Sequence, residues 1–447
     1  MPARREAPRV LGGHAAGGVL TAVDPALRAA RLRLLVTAAV DALGTGLFYA
    51  SSVFFYLRVV DLSPASLGAS LGVAGLVGAL ASPVVGRLAD RVPLRPLLTG
   101  SFVARALGYT ALAFTHGAVA AGALLAVIGV SDRTASIARQ IYVAGLGDRA
   151  FAVDLSASFR VFKNALYAVG ALIASPFVAS GSGVALRWCV VANGVSFGAG
   201  ALVLRGLPRV RARRVRAADG ALRMPGALRL RLTSLAVADG LLSFHATFLS
   251  LGYGLIATLS GRVPASVVPV VFVVNTVIVV VGQRPVTRAI TARRLEPLGM
   301  AGAGALLAAA LLLCTLAVTA THGAVAFCLV VAAAALHSMA ELAESTGSWS
   351  LPLEIGEPFG VQGMAVSLFN LSVGLQASLA PAVVSLLLGA SLVAGLPALA
   401  ALFAVSGVLV MVLARSSLRL SRHALEVLER SPRDETRGGG TGRGSVM

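Results

Sequence analysis

Long apolar blocks alternate with short polar segments along the whole chain. The stretch from Val267 to Val281, for example, is interrupted only by Pro269, Asn275 and Thr276. It lacks the residue-by-residue alternation of a membrane β-strand, so helices are expected rather than a barrel. A bilayer-crossing helix needs ~20 predominantly apolar residues. Blocks of that order fall at 34–57, 67–85, 96–115, 118–143, 164–181 and 188–204, and again at 232–258, 265–282, 297–320, 324–350, 362–388 and 392–414. The pattern predicts an all-α polytopic membrane protein with twelve transmembrane helices in two six-helix halves. The chain divides into a tail at 1–33, a first half at 34–204, a linker at 205–231, a second half at 232–414 and a tail at 415–447.

Composition removes the alternatives. Of 447 residues, 57% are apolar and 13% charged, with a mean hydropathy of +0.85. That leaves too little polar chain for a soluble domain of ordinary size. The net charge of +19 would suggest nucleic acid in a soluble protein. Here the arginines cluster between apolar blocks, where the positive-inside rule puts them at the cytoplasmic face, so no nucleic-acid partner is expected. Nine of them crowd the linker from Arg205 to Arg231 against the single acid Asp219. With both termini cytoplasmic, only Arg58, Arg187 and Arg262 fall at outer loops. Near-exclusive use of arginine, with Lys163 the only lysine, fits a G+C-rich bacterial genome and hence a bacterial inner membrane. The first block starts too late and runs too long for a cleaved signal peptide. Residues 415–430 are expected as a basic amphipathic helix on the inner surface, and 431–447 as disordered. Cys189, Cys314 and Cys328 sit inside apolar blocks without metal-type spacing, so they are expected to pack as small hydrophobes. No cofactor or metal is expected, and the protein is expected to be monomeric in the lipid bilayer.

The two sets of spans echo each other. Val40-Asp41-Ala42-Leu43 resembles Ala238-Asp239-Gly240-Leu241, and Asp132 and Glu341 precede Gly147-Asp148 and Gly356-Glu357 by the same spacing. Asn164 and Asn370 follow in the next span of each set. Such coincidences in register point to two related halves, a common transporter plan. Between spans 2 and 3 stands Gly86-Arg87-Leu88-Ala89-Asp90-Arg91-Val92-Pro93-Leu94-Arg95. It resembles the signature loop of the major facilitator superfamily, Gly-x-x-x-Asp-Arg/Lys-x-Gly-Arg-Arg/Lys. Gly86, Asp90, Arg91 and Arg95 match, whereas Pro93 and Leu94 replace a Gly and an Arg; the corresponding loop of the second half has Val286 where the acid would be. Within the superfamily the chain looks most like bacterial drug and metabolite exporters, through Glu341-x-x-Glu344-x-x-x-x-Trp349 and Arg160-x-x-x-Asn164. The resemblance implies a conformational latch made by Gly86, Asp90, Arg91 and Arg95, with its partner at the cytoplasmic end of span 11. A carboxylate at Asp90 would suit a helix N-terminus, where free N–H groups and the dipole favour it.

Ionisable groups inside spans are costly, so each is a functional candidate. The acids are Asp41, Asp132, Asp239, Glu341 and Glu344, on spans 1, 4, 7 and 10, the spans that by resemblance line a central cavity. The first half adds Arg105 and Arg133, which permits pairing. Asp132 and Arg133 project ~100° apart, so each is expected to pair across helices. The second half has three acids and no interior Arg or Lys. Burial disfavours an unpaired carboxylate, which suits these three to loading and releasing protons. His337, Glu341 and Glu344 recur at i, i+4 and i+7 as a candidate relay, whereas His245 lies ~240° round from Asp239 and is expected on another face. Gly44, Gly46 and the Gly68-x-x-x-Gly72 pair are expected at close helix contacts. There is no phosphate-cradling Gly-x-x-x-x-Gly-Lys-Ser/Thr and no His-Glu-x-x-His, so an enzyme is not expected. The expected function is proton-coupled efflux of small organic molecules, with import on the same fold as the alternative. An excess of acids would favour cationic or neutral solutes.

Overall fold

The computed structural model describes residues 25–146, 149–208, 226–357 and 362–435. Twelve long helices follow one another: α1 (Pro25–Arg58), α2 (Pro64–Arg91), α3 (Leu94–Ala113), α4 (Ala118–Leu146), α5 (Arg149–Ala179), α6 (Gly183–Leu204), α7 (Gly226–Leu259), α8 (Val267–Ala292), α9 (Glu296–Thr319), α10 (Gly323–Gly356), α11 (Gln362–Ala390) and α12 (Leu392–Glu435). Among the described residues, eleven are long and apolar enough to cross a membrane. The exception, α3, has 20 residues but carries Arg95 and Arg105. The protein is thus a multi-pass helical membrane protein. Side chains such as Leu80, Leu107, Val195, Val281, Leu316 and Val405 are exposed on its flanks, as a lipid-facing surface requires. Trp188 and Trp349, near opposite ends of the bundle, are both exposed in the manner of interfacial anchors.

Local signals set the helix ends at one face. Ser63 caps α2 by accepting from Ser66 N–H at 3.2 Å, with Pro64 in the first turn, and Ser182 caps α6 through Ala185 N–H. Gly117, Gly181 and Gly261 turn the chain at that same face with positive φ, which glycine adopts without strain. This face carries Arg58, Arg187 and Arg262 and is the arginine-poor one.

Five helix pairings recur in the two halves. In the first, α1 packs on α5 and α6, α2 on α4, and α3 on α4 and α6; in the second, α7 packs on α11 and α12, α8 on α10, and α9 on α10 and α12. The expected pseudo-symmetry is therefore a property of the packing. The halves meet through α2 with α11 and α5 with α8. Glycines allow the first contact: a Cβ built on Gly72 would stand 2.8 Å from Ser378 O, and one on Gly68 2.7 Å from Pro381 O. Gly389 lies similarly against Pro64, and Gly254 of α7 against Val53 of α1. These contacts lie in the arginine-poor halves of their helices and join the two halves of the protein there. Gly44 and Gly46 sit at helix contacts too, against Ser196 and the Tyr167 backbone.

The structure departs from expectation at several ends. Helices overrun the apolar blocks because their polar ends are good helix formers that hydropathy does not read. α1 begins at Pro25 and α7 at Gly226, inside the expected tail and linker. The basic segment after span 12 does not turn onto the surface. It continues α12 without a break, a helix of 44 residues or ~66 Å, and its Ser417 and Ser421 are buried, the latter donating to Ile355 O at 3.1 Å. Helix also extends to Glu435, past the start of the segment expected to be disordered; 436–447 lie outside the described residues. Cys189 and Cys314 are buried as expected, whereas Cys328 is exposed.

Candidate functional site

A cavity of about 450 Å³ lies between the halves, with Leu71 and Gly75 of α2 and Ala377 and Pro381 of α11 in its wall. It is walled by α1, α2 and α4 of the first half, with Arg105 and Tyr109 of α3, and by α7 and α11 of the second. Its charges are Arg105, Asp132 and Arg133. The second half contributes, among the described residues, the neutral polar groups Thr247, Ser250 and Gln376 beside apolar side chains, and Gln376 Nε2 donates to Thr247 Oγ1 at 2.7 Å.

Arg105 organises the first-half charges. Its Nη2 lies 3.3 Å from Asp132 Oδ1 and 3.8 Å from Asp41 Oδ1, joining α3 to α4 and α1. Its guanidinium also lies 3.7 Å from the centroid of the Phe197 ring on α6. Asp41 is buried and accepts from Thr45 Oγ1 at 3.0 Å, so it backs the site without lining the cavity. Asp132 has a side chain 63% exposed, facing the cavity. Cross-helix pairing holds for Asp132 as expected. Arg133 also lines the cavity, but forms no ion pair among the described residues.

The second-half acids form a separate buried string. Ser348 Oγ lies 2.6 Å from Asp239 Oδ1 and 3.1 Å from Glu344 Oε1, with one hydroxyl proton between two carboxyl groups. Ser243 Oγ donates to Glu344 Oε1 at 3.0 Å, and His245 Nε2 is 3.6 Å from Glu344 Oε2. His245 Nδ1 is 3.2 Å from His337 Nε2, and Tyr253 OH is 3.5 Å from His337 Nδ1. Glu341 points elsewhere, accepting from Asn275 Nδ2 of α8 at 2.6 Å.

Three expectations change here. Asp239, His337, Glu341 and Glu344 do not line the cavity, so the cationic preference expected from their charge loses its basis. Glu341 parts from Glu344 because the two project ~60° apart and meet different neighbours, α8 and α7. His245 and Asp239 both face α10, the former at Glu344 and His337 and the latter at Ser348, although regular phase would separate them. Ala246 N–H bonds back to Ser243 O, three residues away, and a π-turn follows at Phe248–Gly252. That irregularity aims His245 at α10 and Thr247 and Ser250 at the cavity.

The signature segment also differs. Gly86 to Arg91 is the last part of α2, so Asp90 lies at a helix C-terminus, not an N-terminus. Arg91 is exposed, and Arg95 donates to Leu207 O at 3.2 Å. Arg33 donates to Gly206 O, and Tyr142 OH to Pro208 O at 2.9 Å, so α1, α3 and α4 together grip the segment leaving α6. The expected partner of the latch at the start of α11, and the Asp90 side chain, lie outside what is described.

Sequence reasoning did not single out Gln376, Thr247, Ser250, Asn275 or the cavity tyrosines Tyr49, Tyr56 and Tyr109. Isolated amides in apolar blocks, Asn275 and Gln376, are the signal that marks two of them.

Twelve helices in two related halves around a central polar cavity define the major facilitator fold. Solved structures agree over nearly the whole chain. A point mutant of the nucleoside transporter NupG superposes with a TM-score of 0.65 at 13% identity, covering 87% of this chain and 99% of that one. A bacterial homologue of the human lysosomal transporter Spinster, in an inward-facing and occupied conformation, gives 0.65 at 14% identity, covering 92% and 98%. A POT family transporter in complex with a thioalcohol-conjugated peptide gives 0.69 at 10% identity, covering 88% and 99%. No protein-family profile and no curated protein matches the sequence.

Proposed function

We propose that the protein is a secondary transporter that moves small organic molecules by alternating access, outward across a bacterial inner membrane, in exchange for protons. The observation that carries this reading is the separation of two sites on one helix. The segment of α7 around its π-turn presents Thr247 and Ser250 to the cavity, while Asp239, Ser243, His245 and Tyr253 on the same helix join the buried string with Glu344 and His337. A proton gained or lost in the string changes the charge held between α7 and α10, and α7 transmits that change to the cavity wall. The glycine-lined contact of α2 with α11 is the gate at one end, and its release opens the cavity to the other side. With positive charge inside, that gate faces the periplasm and both termini the cytoplasm. Neither a nucleotide nor a covalent intermediate is needed, because the proton gradient supplies the drive.

Proteoliposomes with an imposed pH gradient test the coupling. Glu344→Gln should abolish gradient-driven accumulation of a transported solute while preserving downhill exchange, since the cavity is untouched. Wild-type transport indifferent to the gradient, or full coupling in Glu344→Gln, would remove the proton from the mechanism. Direction is read in cells: deletion raises intracellular solute for an exporter and lowers it for an importer.

A further inference from the structure

We propose that the transported solute is a zwitterion with an aromatic or apolar body, its cationic group held at Asp132 and its anionic group at Arg133. The proposal rests on the transport reading above and adds the substrate class. Of the three charges that line the cavity, Arg105 is already engaged by Asp41 and Asp132 and packed on Phe197. Two remain open. Asp132 has one ion-pair partner among the described residues, Arg105, itself shared with Asp41, and a side chain that is 63% exposed and lines the cavity. Arg133, the next residue on α4, has no ion pair among the described residues.

These two groups of opposite sign sit one residue apart on the same helix, so a solute carrying one charge of each sign satisfies both. A solute with only a cation leaves Arg133 facing a bound positive charge, and a solute with only an anion places it beside Asp132. Each mismatch costs free energy in a site from which the solute displaces water. Among the described residues, the second half brings no charge to the cavity to alter this balance. The rest of the wall suits an apolar body: Phe48, Tyr49, Tyr56 and Tyr109 line one side, with Tyr49 37% exposed. Gln376 and Thr247 face them with hydrogen-bonding capacity for a neutral polar group.

The test uses the purified full-length protein and two matched probe series, an aromatic amino acid and a dipeptide of aromatic amino acids, each with its C-terminal amide (cation) and its N-acetyl derivative (anion). Binding is measured by titration calorimetry and uptake by proteoliposomes. In at least one series the zwitterion should bind ~10-fold or more tightly than either singly charged derivative. Arg133→Gln should erase the preference over the amide, and Arg133→Lys should keep most of it. Equal or tighter binding of a singly charged derivative in both series, absence of binding by every probe, or an unchanged preference in Arg133→Gln would overturn the proposal. A labelled panel of cationic, anionic and uncharged solutes run in the same proteoliposomes separates the two readings. Movement of any of these with zwitterions excluded overturns only the substrate class, whereas movement of nothing overturns transport itself.

Discussion

Arg105 ties α3 to three neighbours, Asp41 of α1, Asp132 of α4 and Phe197 of α6. Asp41 and Arg105 are both buried, so removing the cation strands a carboxylate away from water. Arg105→Gln should lower the unfolding free energy by ~3 kcal/mol, read as an earlier denaturation midpoint of the purified protein in detergent. Arg133→Gln, which breaks no pair, should stay within ~0.5 kcal/mol of the parent. Asp132→Asn should cost less than Asp41→Asn, because the Asp132 side chain is 63% exposed whereas that of Asp41 is 5% exposed. Because Arg105 is shared between the two acids, losing either one alone leaves it a partner. Every one of these charges stood out in the sequence as an ion inside an apolar block. Their partners did not, because Arg105 meets Asp41 and Asp132 only when three helices pack together.

At the scale of elements, the proposed mechanism assigns the moving parts to α2 and α7. The Gly68-x-x-x-Gly72 spacing announced a close contact, and the structure adds that α11 supplies the other side, with Ser378 O and Pro381 O facing the two glycines. Gly72→Leu places a branched side chain where a Cβ already stands 2.8 Å from a carbonyl oxygen, and α2 must withdraw from α11. The expected outcome is a longer distance between spin labels at the arginine-poor ends of α2 and α11, with transport reduced ~10-fold or more, since a gate that cannot close uncouples the cycle. Unchanged distances would mean that the contact yields locally. The irregular turn of α7 was not legible in advance. Ideal phase put His245 and Asp239 on different faces, yet both meet side chains of α10, and the local tightening at Ser243 and the π-turn at Phe248–Gly252 break that ideal phase.

For the whole molecule, the arginine distribution and the even number of helices bear on orientation. The start of α1 and the end of α6 meet through Arg33 and Gly206, and the start of α7 meets α12, just past the last residue of its apolar block, through Arg231 and Ser416 O at 2.9 Å. Both helical termini of the bundle therefore lie at its arginine-rich face. Alkaline phosphatase fused after Met447 should be inactive in a bacterial host, and a green fluorescent protein fused there should fluoresce. The opposite pair of results would invert the topology and put the α2–α11 gate on the cytoplasmic side.

The number, order and approximate limits of the helices, the two sets of six and their repeat were determined by the sequence alone. In a bilayer every backbone group must be satisfied within its own helix, so an apolar block of the right length has one outcome regardless of its neighbours. Which charge faces the cavity was decided only by tertiary structure. Asp239, Glu341 and Glu344 lie on helices of the kind expected to line it, yet they turn toward α10, α8 and α7, leaving the charges of the cavity wall to Arg105, Asp132 and Arg133. The facing of a side chain depends on helix phase, on irregular turns such as that of α7, and on contacts between residues more than a hundred positions apart, such as Ser243 with Glu344. None of these is a property of a local stretch of chain.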